Sequence, residues 1–247
     1  MNRRDFIQNT SLFTIGTGVL PVAPQTTNNR KAELTVAFIT DVHVKPTDIA
    51  ETGMRKAFQH VNSLSKKPDF IINGGDAIMD AMAADKIKTQ LQWDVWNKVL
   101  QETNRLPIYH CIGNHDAWGW QVKDEAVKAD PLYDKAWAVQ QHKMPNRFYS
   151  FEKKNWKFIV LDSAQENNGG YIARLDEPQM SWLETELENT SPDQHICFVS
   201  HIPIVSFCAA MFFDDHLPNG DWKLSRALLH VDARKITQLF SGYKNIR

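Results

Sequence analysis

Four short motifs concentrate the residue types that can do chemistry. Asp41-Val42-His43 comes first, then Gly74-Gly75-Asp76, then Gly113-Asn114-His115-Asp116, and last a lone His201. Carboxylate, amide oxygen and imidazole are donors suited to divalent ions such as Mn, Fe and Zn. Imidazole and carboxyl groups also move protons in general acid–base work. Each motif alone has a plainer reading. Asp-x-His occurs in loops with a solvated carboxylate, Gly-Asp is a frequent turn dipeptide, and Gly-Asn-His-Asp can also close a turn. Their joint placement says more than any one of them.

The elements that must position these residues can be read from the apolar pattern. Leu34 to Thr40, Asp69 to Asn73, Pro107 to Ile112 and His195 to Ser200 are short runs rich in β-formers and are predicted strands. Arg147 to Phe151 and Lys157 to Asp162 predict a strand pair around Lys154-Asn155. Helical periodicity or helix signals mark Ile49 to Leu64, Ile87 to Thr103, Leu132 to Gln141, Pro178 to Glu188 and Ser225 to Phe240. Strands alternating with helices predict an α/β architecture with largely parallel pairing and one antiparallel addition. In such sheets ligands sit beyond the carboxyl ends of the strands. Each of the four motifs follows a predicted strand, so all four arrive at the same end.

In that order and placement the motifs resemble the calcineurin-like metallophosphoesterases. That family's pattern is Asp-x-His, Gly-Asp, Gly-Asn-His-[Asp/Glu], a lone His, and then Gly-His-x-His. The resemblance runs from Asp41 to His201 and implies a fold of two mixed β-sheets flanked by helices (α/β/β/α). It implies two divalent metal ions (Mn, Fe, Zn or similar) about 3.5–4 Å apart, with a bridging hydroxide that attacks the phosphoryl group. By resemblance, Asp41 and His43 bind the first ion, Asp76 bridges both, and Asn114 and His201 bind the second. His115 then faces the leaving group as general acid or hydrogen-bond donor. Asp116 orients His115 by accepting its other ring proton.

The resemblance also has gaps. No Gly-His-x-His follows His201; only His216 and His230 lie beyond it. The expectation is a chain truncated before that motif, with a bare sheet edge and weaker metal binding than an extended chain. Asp76 is followed by Ala77-Ile78-Met79-Asp80, without the Arg that serine/threonine protein phosphatases of this superfamily carry soon after Gly-Asp, and Asp116 stands where they have Glu. Met79 occupies the position of the purple acid phosphatase tyrosine. What remains resembles the bacterial phosphodiesterase and general phosphohydrolase branch, with a small phosphoester as substrate. The rival reading is a non-catalytic exported binding protein with an incomplete metal site.

Other candidates weigh less. Asp162 reads equally as a support to the site or a structural turn. Trp118 and Trp120 could wall a pocket or simply pack, and His216 reads as a solvated loop histidine. His60, His110, His142, His195 and His230 read as structural.

Totals narrow the function further. The chain has 247 residues, 43% of them hydrophobic and 23% charged, with a net charge of -1, so no basic footprint for nucleic acid is present. The three cysteines, Cys111, Cys197 and Cys208, lack C-x-x-C spacing. The N-terminus, with Arg3-Arg4-Asp5-Phe6-Ile7 followed by a short apolar stretch, resembles a twin-arginine export signal. The expected organisation is a leader over 1–24, a linker over 25–32 and the phosphoesterase domain over 33–247. The expected location is periplasmic or extracellular. No Cys follows the apolar stretch, so no lipid anchor is expected after leader removal.

Overall fold

The computed structural model describes residues 34–213 and 216–247, and the expected leader and linker lie outside the described residues. Three strands, β1 (Val36–Ile39), β2 (Phe70–Asn73) and β3 (Ile108–His110), pair in parallel in that order. β2 is central and buried at every position, as an unbroken apolar run in a doubly covered parallel strand requires. Two helices, α1 (Asp48–Ser63) and α2 (Lys86–Thr103), connect these strands. Thr47 and Asp85 cap their N-termini by accepting from the amides of Ala50 and Lys88.

The second sheet is mixed. β4 (Tyr149–Lys153) runs antiparallel to β5 (Trp156–Val160), which pairs in parallel with β8 (His195–Val199). Alternation along the strands decides the layers. Phe70 and Ile72 of β2 meet Phe158, Val160 and Val199 between the two sheets. Ile71 turns the other way, onto Met54 and Phe58 of α1 and Trp93 and Trp96 of α2. Ile159 and Ile196 pack on Met180, Leu183 and Leu187 of α5 (Glu177–Glu188) and on Ile236 of α7 (Ala233–Phe240). The stacking is helices, sheet, sheet, helices.

The two sheets flanked by helices are those of the expected fold; among the described residues the first is wholly parallel and the second carries the antiparallel pairing. Several expectations need correction. The helix expected over Leu132 to Gln141 shrinks to α4 (Ala136–Gln141), because Asp134 pairs with Trp118 through two backbone hydrogen bonds. The helix expected from Ser225 begins only at Ala233. The preceding stretch instead runs beside Ala173, whose amide donates to the Arg226 carbonyl and whose carbonyl accepts from the Val231 amide.

A hairpin of β6 (Ala164–Asn167) and β7 (Gly170–Ala173) escaped the sequence reading. Its turn residues, Asn168 (φ 52°) and Gly169 (φ 76°), are both left-handed, as an Asn-Gly hairpin turn demands. Two short helices, α3 (Glu125–Lys128) and α6 (Cys208–Phe213), also went unread. The edge of β8 is not bare: Ile196 donates to the Asn245 carbonyl and accepts from the Arg247 amide.

Candidate active site

The loops leaving β1 and β2 run side by side. The amides of Asp41, His43 and Val44 donate to the carbonyls of Gly75, Asp76 and Ala77. This alignment holds Asp41 (φ 55°), His43 (φ 47°) and Asp76 (φ 52°) in the left-handed region. Such conformations cost about 1–3 kcal/mol each and gather at functional sites. The loop after β3 closes on the same point. The amide of His115 donates to Asp76 Oδ1 at 2.8 Å, and Gly113 lies so close to the Asp76 carboxylate that only a missing side chain fits there.

The loop after β8 supplies His201. Its Nδ1 lies 3.0 Å from the Gly74 carbonyl, which leaves Nε2 for the cavity, 3.4 Å from Asp76 Oδ2 and 3.2 Å from Asn114 Oδ1. His43 Nε2 is also 3.4 Å from Asp76 Oδ2 and stands 3.7 Å from Asp41 Oδ1. The rings of His43 and His115 meet edge to face at 4.7 Å. Asp41, His43, Asp76, Asn114, His115 and His201 thus line one cavity of about 330 Å³.

The donor set fits divalent ions. Asp76, His43 and His115 offer one group of ligand atoms within 4.8 Å of one another, and Asp76, Asp41 and His201 offer a second. Asp76 belongs to both groups. Among the described residues, the buried Nδ1 atoms of His43 and His115 have no hydrogen-bond partner.

Comparison with known proteins places this geometry. Residues 34–233 match the family model described as calcineurin-like phosphoesterase. The chain belongs to that family. It is similar to the serine/threonine-protein phosphatase CPPED1 of Danio rerio, at 25% identity over 61% of this chain and 45% of that protein. The human protein of that name is 28% identical over 60% of this chain and 44% of its own length. The sphingomyelinase phosphodiesterase C of Dictyostelium discoideum is 21% identical over 61% of this chain and 37% of its own length. The chain thus spans less than half the length of each of these relatives.

Electrostatics in this calcineurin-like site centre on Asp76. Burial works to raise its pKa, but the hydrogen bond and charge of His201, with the His115 amide, hold it below the ordinary carboxylate value. Burial likewise works against a charged His201, yet Asp76, aided by Asp41, raises it to about 9. A metal ion bound here would compete with protons for the same atoms, because a ligating imidazole must be unprotonated.

One predicted contact does not form. Asp116 was expected to hold the His115 ring. Its carboxylate instead points inward, fully buried, and accepts from the amides of Ala77, Ile78 and Gly113. Those bonds lock the Gly-Asn-His-Asp turn to the Gly-Asp loop, so Asp116 shapes the site without touching the ring. Burial, and then the charge of Asp76, push Asp116 up to about 7.

Trp118 and Trp120 are buried and donate to the Ala84 carbonyl and to Asp134, so they do not wall the cavity. Asp162 is buried and binds Lys135 at 2.7 Å and Arg147. Its neighbour Ser163 accepts from the Ile202 amide at 2.9 Å, which ties this corner to the residue after His201. His216 rests against Trp222, outside the cavity lining. The cavity wall also includes Tyr171, Ile202, Pro203, Ala227 and Leu228. Only the Asn-Gly turn before Tyr171 offered a sequence signal for any of them.

Proposed function

We propose that this chain is a metal-dependent hydrolase of small phosphoric esters, mono- or diesters, working through a two-metal centre. One observation carries the proposal: a single carboxylate, Asp76, lies 3.4 Å from imidazole nitrogens delivered by two different loops. A carboxylate so placed suits a bridge between two ions.

Asp41 and His43 would hold one ion and Asn114 and His201 the other, with Asp76 shared. Divalent ions bound there would supply Lewis acidity toward phosphoryl oxygens and a water acidic enough to be a nucleophile near neutral pH. His115 would donate a proton or hydrogen bond to the departing oxygen. Asp116 keeps the His115 loop in register with Asp76. The relatives include one named as a phosphatase and one named as a phosphodiesterase, which fits either ester class. Export is part of the proposal on the strength of the N-terminal arginine pair.

The test is elemental metal analysis with Mn²⁺-dependent hydrolysis of bis(p-nitrophenyl) phosphate and p-nitrophenyl phosphate, for wild type and Asp76→Asn. Two ions per chain and hydrolysis abolished in the variant are expected. Bound ions without hydrolysis of either ester would favour a binding protein. Full activity in Asp76→Asn would remove the bridge from the mechanism.

A further inference from the structure

The wall of the cavity holds one polar side chain that the metal-centre motifs do not include. Tyr171 sits on β7, in the hairpin whose register the Asn168-Gly169 turn sets. Tyr171 packs on the cluster of Met82, Ala117, Trp120, Ala164, Ala173 and Ile202. That packing fixes the ring against well-buried neighbours while the residue lines the same cavity as Asp76, His115 and His201. Among the described residues nothing pairs with its hydroxyl. A one-residue slip of the hairpin would turn the ring to the other face, so the turn itself aims it.

We infer that Tyr171 is a substrate-contacting residue whose phenol O–H donates a hydrogen bond to an oxygen of the phosphoryl group, from the cavity wall it shares with the metal-ligand loops. The inference rests on the proposed hydrolase reading. Burial, and then the charge of Asp76, raise the phenol pKa above its ordinary value. At neutral pH the group is therefore a neutral donor, not a phenolate ligand. A fixed donor helps most where negative charge grows on phosphoryl oxygens, and here it would be held by packing rather than by a competing protein acceptor.

Tyr171→Phe removes the hydroxyl alone. The assays are kcat and KM for bis(p-nitrophenyl) phosphate with Mn²⁺, orthophosphate affinity of the Mn²⁺-loaded protein by calorimetry, metal content and thermal midpoint. The expected result is a fall in kcat/KM on the order of tenfold to a hundredfold. Phosphate binding should weaken about tenfold, with metal content and midpoint unchanged. Unchanged kcat/KM and phosphate affinity would overturn the inference. A collapsed midpoint would also overturn it, since the hydroxyl would then serve the fold. If wild type binds ions and phosphate but hydrolyses no ester, only the hydrolase reading falls, and the phosphate affinities still judge Tyr171.

Discussion

Gly113→Ala adds one methyl group at the tightest point of the site. A Cβ there would stand 2.0 Å from Asp76 Oδ1, 2.3 Å from the Asp76 backbone nitrogen and 2.7 Å from its Cγ. Non-bonded heavy atoms rest at about 3.5 Å, so a retreat of roughly 1.5 Å is required. The carboxylate cannot make it alone. It is held by the His115 amide at 2.8 Å, and the backbone nitrogen is crowded as well. Overpacking of this kind costs about 1–3 kcal/mol of stability. A displacement near 1 Å at reacting groups costs on the order of a hundredfold in rate. The second effect should dominate, because the 3.4 Å distances from Asp76 to His43 and His201 are what the shift destroys. The assay pairs urea unfolding with metal content and phosphodiester turnover. Gly53→Ala serves as control: that glycine lies within α1 with nothing within 4 Å of an added Cβ, and the change should stabilise by about 1 kcal/mol. A Gly113→Ala protein with wild-type metal content and turnover within threefold would refute the reasoning.

Two further outcomes follow from buried charge. Asp162→Asn strips the carboxylate from Lys135, which is 3% exposed at its side chain. Breaking a buried pair typically costs about 3–5 kcal/mol, read as a lower urea midpoint; a loss under about 1 kcal/mol would contradict the role given to that pair. His110 is buried and stacked on His142 at 4.0 Å, and burial lowers its pKa from 6.5 to about 3. A depressed histidine contributes stability above pH 6.5 that is lost as pH falls toward 3. At pH 5 the loss is about 2 kcal/mol. Asp116 and His201, both raised, titrate with the opposite sign, so the quantity to read is wild type minus His110→Phe. That difference in unfolding free energy should shrink by about 2 kcal/mol between pH 8 and pH 5, and a constant difference would refute the burial argument.

The alternation of strands and helices was legible because it is written in neighbours a few residues apart. β1, β2, β5 and β8 fall where the apolar runs predicted them, within a residue or two. Helix ends were less legible. At Asp134 and Arg226 the backbone forms hydrogen bonds with Trp118 and Ala173, which are distant in sequence, and those bonds displace the helical pattern. The β6–β7 hairpin had a readable signal in Asn168-Gly169, but its strands are short and its apolar alternation slight.

For the site, the kinds of chemistry were local information. The types, order and post-strand placement of Asp41, His43, Asp76, Asn114, His115 and His201 implied a metal-binding phosphoesterase before any contact was known. What each atom touches was decided only by the fold. His201 meets the Gly74 carbonyl across 127 positions of chain, and Asp116 reaches Ala77 across 39. No periodicity spans such separations. The inward turn of Asp116 and the arrival of Tyr171 depend on how layers pack, and packing directions are set by partners far away in sequence.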